Sequence, residues 1–257
     1  DDSTVSGYTY HAFTSTGSTT FSIDSMSAAL TGTISGTGSL DVNAEGGILT
    51  VTGTNTYEGA TKISAGTLSV SNLASGGTNS AIGKSDSSAA NLQLAGGVLE
   101  YTGTDVTIDR NFTIAGNAAS KISVTESGTT LTLTGTSSGG TGGLEKAGAG
   151  TLNLSGDHSY SGSTLVSGGT LTISGEMTNT DLIHVYGGGT LNVASTGSLT
   201  TGSGGHFAIG SGKGSHGTVN VSGDLNIGGG YGAVYIGGKL HNTGTAGTGT
   251  LNINDGG

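Results

Sequence analysis

The sequence predicts an all-β chain, a right-handed single-stranded parallel β-helix of about ten to twelve coils. Three observations lead there. Gly contributes 53 of 257 residues while Pro, Cys and Trp are absent. Leu, Ile and Val fall at intervals of two, and a short Gly-x-Leu-x-apolar phrase returns about every twenty residues. Alternation at a period of two is the mark of a strand with one buried side, and the flanking Gly-Gly and Ser-Gly pairs are turn signals.

Each observation excludes alternatives. Gly enrichment without a three-residue period, and without Pro, rules out collagen. Patterned apolar residues at 32% argue against a disordered linker. Aromatic residues make up only 5%, too few for a wide core; stacks of Leu, Val and Ile suit a thin core extended lengthwise. With no cysteine, stability has to come from continuous strand pairing rather than disulfides.

The repeat fixes the architecture. Residues 47–71 align without a gap on residues 150–174, an offset of 103. Leu49 lies over Leu152, Gly53 over Gly156, Tyr57 over Tyr160, Gly59 over Gly162 and Leu68 over Leu171. The match extends upstream, giving a duplication of 30–71 and 133–174. Inside each copy the Gly-x-Leu phrase starts at Gly47 and Gly66, then at Gly150, Gly169 and Gly189, with intervals of 19, 19 and 20. Further versions begin at Gly97, Gly217 and Gly249, separated by longer stretches where insertions sit. Twenty residues is too short for a βαβ unit and long enough for one coil of three short strands. In a phrase such as Thr170-Leu171-Thr172-Ile173, the apolar pair points inward and the threonines outward. The domain reading is one continuous solenoid over 1–257, with 1–29 a less regular N-terminal part or cap.

A net charge of −10, with Arg110 the one arginine, argues against nucleic-acid or anionic-membrane partners, which need clustered Lys and Arg. No apolar run is long enough to span a bilayer as a helix. The chain opens at Asp1 without Met and breaks off inside a repeat-like phrase, so it reads as a piece of a longer protein.

The phrase from Lys146 to Gly156 (KAGAGTLNLSG), then Tyr160-Ser161-Gly162, then Gly168-Gly169-Thr170-Leu171 resembles the passenger-associated transport repeat of bacterial autotransporters. The copy from Gly46 to Val70 is similar, with Ile48 in place of Thr. Gly188 to Val193 and Gly217 to Val221 look like AIDA-type and antigen-43-type passenger repeats. The resemblance implies type V export, a β-helix at the bacterial surface or secreted, and an adhesin that mediates attachment, autoaggregation or biofilm. Its implied partners are another copy on a neighbouring cell, or a host surface protein or glycan. It also implies an outer-membrane barrel anchor, which this chain lacks. A chain threaded unfolded through a pore gains from having neither disulfides nor slow X-Pro isomerisation.

Sites for chemistry are sparse, and the expectation is no catalytic residue, no metal and no cofactor. Asp157-His158-Ser159 has triad composition, but consecutive strand residues point to opposite faces, and the duplicate reads Thr54-Asn55-Thr56. Asp105 and Asp109 share one side of a strand opposite Val106 and Ile108, which suits two solvated carboxylates, one of them paired with Arg110. Gly83-Lys84-Ser85 lacks the glycine and the strand–helix context of a phosphate loop. The six histidines (11, 158, 184, 206, 216, 241) are dispersed. The ligand-site candidates are Tyr231, Tyr235 and Lys239, since tyrosines on a polar β surface stack on sugars or a partner. A polysaccharide-binding or polysaccharide-cleaving β-helix is the alternative function. An ice-binding solenoid would need a regular flat array of Thr-x-Thr; phrases such as Thr130-Leu131-Thr132 exist but do not recur on every coil, so that reading is set aside.

Overall fold

The computed structural model describes residues 2–5, 8–11, 27–116, 119–138, 140–228, 232–238 and 247–254. From Ala28 onward the named strands pair in parallel, each with the strand one coil before and one coil after. The result is a β-solenoid of about nine turns. This is fewer than the ten to twelve predicted, because insertions consume residues without adding a rung. Val70 stacks on Tyr101, for example, across a stretch that includes a 3-10 turn at Ala89–Asn91. The N-terminal strands Asp2–Val5 and Tyr8–His11 form a separate antiparallel pair.

The solenoid has three faces, two of them paired from the first coils and the third a sheet from Val106 onward. One is a seven-stranded sheet of Val106–Ile108, Thr130–Leu133, Thr151–Leu154, Thr170–Ile173, Gly189–Val193, His216–Val221 and Thr248–Ile253. We call it the threonine face. The other two faces are joined through long strands that turn a corner between them: Leu40–Val51, Thr61–Val70, Glu176–Val185 and Ser198–Ile209. Register shifts accompany the turn in two of those pairings, Leu40–Val51 with Thr61–Val70 and Glu176–Val185 with Ser198–Ile209.

Alternation builds the core. On the threonine face Ile108, Leu131 with Leu133, Leu152 with Leu154, Leu171 with Ile173, Leu191 with Val193, and Val219 with Val221 all point inward and are buried. Each such side chain contributes about 1.5–3 kcal/mol relative to exposure, and neighbouring coils supply the cover. At the last rungs the inward Val234, Ile236 and Ile253 are exposed.

The duplicated Tyr-x-Gly corner shows why those residue types recur. Tyr57 and Tyr160 are buried, and their hydroxyls bond the Thr61 and Thr164 hydroxyls at 2.5 and 2.7 Å. Burial raises both phenol pKa values above the ordinary range. Two residues on, a Cβ at Gly59 or Gly162 would lie 2.3 or 2.4 Å from the backbone of the preceding coil. Only glycine fits where stacked backbones approach so closely.

The two copies of the duplication do not occupy the same face. Val51 stacks on Val70 and thence on Tyr101 and Val124. Its counterpart Leu154 lies on the threonine face, between Leu133 and Ile173. The copy is rotated one face around the axis. One strand-and-turn phrase serves on every face, so a phase slip costs the core nothing.

Candidate binding face

The predicted ligand cluster is only partly within view. Tyr231 and Lys239 lie outside the described residues. Tyr235 sits in Val234–Ile236, half-buried, its ring edge-on to His206 with centroids 5.8 Å apart.

The triad composition separates as strand geometry requires. His158 is buried while Asp157 and Ser159 are exposed. Its Nδ1 lies 2.9 Å from the Ser137 hydroxyl, its Nε2 has no hydrogen-bond partner, and its ring packs 5.7 Å from Phe112. Burial holds its pKa down at about 4. The duplicate, Asn55, is buried as well, accepting from the Ile34 N–H at 2.7 Å and donating to the Ala81 carbonyl at 2.8 Å.

The structure corrects the reading of Asp105, Asp109 and Arg110. Neither carboxylate forms an ion pair with the guanidinium. Arg110 turns inward, is 1% exposed, and donates to the carbonyls of Ala74 (2.8 Å), Ser85 (3.0 Å) and Gly83 (3.0 Å) and to the Ser85 hydroxyl (3.0 Å). It ties down the 72–91 insertion. Nor are the carboxylates merely solvated: Asp109 accepts from the Gly76 N–H and Asp105 from the Thr130 N–H, both at 2.8 Å. In Gly83-Lys84-Ser85, Gly83 has a positive φ and Lys84 pairs with Glu58 at 3.0 Å. No phosphate cradle forms there.

Lys146 escaped the sequence reading. It is fully buried, and its Nζ donates to the carbonyls of Ala147, Gly148 and Gly168 at 2.6, 3.0 and 3.2 Å. With no carboxylate beside it, burial lowers its pKa to about 8. Among the histidines, His184 shares a hydrogen bond with Ser211 at 2.8 Å and His216 with Thr248. Among the described residues, no three His, Cys, Asp or Glu side chains converge to hold a metal.

What the sequence concealed is the outer side of the threonine face. Thr130, Thr151, Thr170, Thr190, Thr218 and Thr250 stack in register on six successive strands. Beside them runs a second row of Thr132, Asn153, Thr172, Asn192, Asn220 and Asn252, paired by the same ladders. Thr-x-Thr itself stands on two of these strands, at Thr130–Thr132 and Thr170–Thr172, as the linear reading held, while a mixed Thr-x-Thr or Thr-x-Asn pattern runs over six of the sheet's seven strands. Unequal spacing between coils hid it; the signal was the Thr following the phrase glycine.

Amide bonds order the second row. Asn220 donates to Asn192 at 2.8 Å and Asn252 to Asn220 at 2.7 Å, and the Ser174 hydroxyl donates to Asn153 at 2.8 Å. From the Thr130 rung onward these two rows carry no charged side chain. The other faces do: Lys121 pairs with Glu145 at 3.1 Å and Lys62 with Asp41 at 3.4 Å.

Residues 45–70 and 144–173 match the passenger-associated-transport-repeat family. The chain carries passenger-associated transport repeats. These segments hold both Tyr-x-Gly corners and Lys146. Over 116 residues, 45% of this chain, the sequence is 54% identical to the adhesin BmaC autotransporter of Brucella suis biovar 1 (strain 1330). That stretch is 3% of the relative's length. Repeat and relative together bear out the resemblance to autotransporter passengers. No solved structure matches the chain.

Proposed function

We propose that this solenoid is a stretch of an exported, surface-displayed adhesin that acts by binding rather than by catalysis, through the polar faces of the rod. The observation that carries this is the 54% identity to a protein named as an adhesin autotransporter, over a fold one of whose outer faces is a regular ladder of hydroxyl and amide groups. Each hydrogen bond from such a surface contributes a net ~0.5–1.5 kcal/mol. Repetition along a rod multiplies weak contacts through avidity, and the partners are another copy on a neighbouring cell or a host surface protein or glycan.

Display on a non-adherent bacterium, with sedimentation of the purified chain at several salt concentrations, tests the reading. Displaying cells are expected to clump or attach. Copies carrying −10 each repel, so self-association is expected to strengthen as salt screens that repulsion. Absence of clumping, attachment and self-association together, or release of reducing sugar from a glycan by the purified chain, would overturn it.

A further inference from the structure

The threonine face is also ordered in a way that attachment to cells does not require. We propose that it binds ice. Three properties of the two outer rows point to ordered water as the ligand.

The first is uninterrupted registry. The six rungs from Thr130 to Thr250 pair without a register shift, unlike the cornered strands. Neighbouring rungs lie ~4.8 Å apart and alternate residues along a strand ~6.6 Å apart. The array is thus a two-dimensional lattice, and the prism plane of hexagonal ice repeats its oxygens at comparable intervals in both directions.

The second is chemical availability. Among the described residues, the hydroxyls of Thr151, Thr170, Thr190, Thr218 and Thr250 bond no protein group, so they are open to water. A β-branched side chain in a stacked strand is held near one rotamer, which keeps the hydroxyls in one line and the methyls in another. Methyls in register hold a cage of water around them, and hydroxyls anchor that cage by hydrogen bonds close in strength to direct ones. In the second row the last three rungs are ordered differently, by the Asn192, Asn220 and Asn252 amides bonding one another.

The third is the absence of competing order. Charged groups impose their own hydration geometry, and from Thr130 onward these rows hold none. They also hold no aromatic ring on which a sugar would stack, which disfavours a glycan as the ligand of this particular face. The inference is independent of the adhesin reading, since its partner is a crystal rather than a cell.

The test is ice-crystal shaping, thermal hysteresis and recrystallisation inhibition by the purified chain, with Thr190→Tyr, Thr190→Val and Thr113→Tyr. Thr190 is mid-array; Thr113 faces outward on another sheet, between Gln93 and Ser138. The unsubstituted chain is expected to facet growing ice. Thr190→Tyr should lower the activity about tenfold or more, equivalent to about 1.4 kcal/mol. Thr113→Tyr should leave it unchanged, and Thr190→Val should retain most of it by keeping the shape. Melting curves confirm that each variant folds. Unaltered ice growth with the unsubstituted chain, equal activity in Thr190→Tyr, or equal loss in Thr113→Tyr would each overturn the proposal. None of these results bears on clumping or attachment, so the two readings fail separately.

Discussion

His158 occupies an inward position where its duplicate carries Asn55, and the difference between the two is a titration. Burial beside Phe112 holds the imidazole neutral, with its pKa lowered to about 4 from the ordinary 6.5. In the unfolded chain the same ring takes up a proton near 6.5, so the unfolded state gains protons first as pH falls. The neutral core position thus contributes its full stability above about pH 6.5 and loses it progressively toward pH 4, a swing of roughly 3 kcal/mol. His158→Asn should shift the melting temperature much less than the unsubstituted chain over that interval. Thermal melts at pH 7, 5.5 and 4.5 measure it; parallel acid losses in both proteins would show that other groups dominate. Lys146 acts at the opposite end of the scale. Its pKa of about 8 means that stability climbs with pH between about 8 and the usual lysine value.

Between coils, the element most dependent on one side chain is the 72–91 insertion. Arg110 reaches it from the turn between Val106–Ile108 and Phe112–Ile114 and satisfies three of its carbonyls. Truncation strands those acceptors, and leaving buried polar groups unmade costs about 1–3 kcal/mol. Arg110→Ala should therefore lower global stability by a few kcal/mol and expose the insertion to proteolysis ahead of the coils. Arg110→Lys should rescue little, since a single ammonium cannot reproduce the planar fork. Limited digestion with mapping of the first cut decides it; a first cut outside 72–91 would remove the anchor role. Nothing in the linear sequence distinguished this arginine from a surface partner of Asp105 or Asp109, because the acceptors lie 25 to 36 residues away on a loop with no pattern of its own. The coils were legible because alternation and turn glycines are local. Which face each phrase occupies was not, because the Gly-x-Leu phrase is the same on every face and the insertions displace its count. The stacking of the threonine rows was hidden for that reason, although the Thr after each phrase glycine was readable.

At the scale of the whole molecule the solenoid is nearly one-dimensional: each coil touches its neighbours and little else, so stability is close to a sum of coil and interface terms. The same property let the duplicated segment rotate by one face without loss. It follows that a whole turn is removable. Leu171 stacks directly on Leu191, and deleting residues 171–190 joins Thr170 to Leu191, restoring a Thr-Leu strand in register. That shortened chain should fold, with the β signature retained and a smaller denaturant slope, since the slope follows the surface exposed on unfolding. Deleting residues 171–180 removes half a turn instead. It sets the following strands on the wrong face and breaks every ladder beyond Thr170, with the stacked Leu and Val rows forced out of line. Circular dichroism and urea titration of the two deletions separate these outcomes. Equal loss of structure in both would mean that the coils are not interchangeable units and that particular long-range ties, Arg110 foremost, hold the rod together.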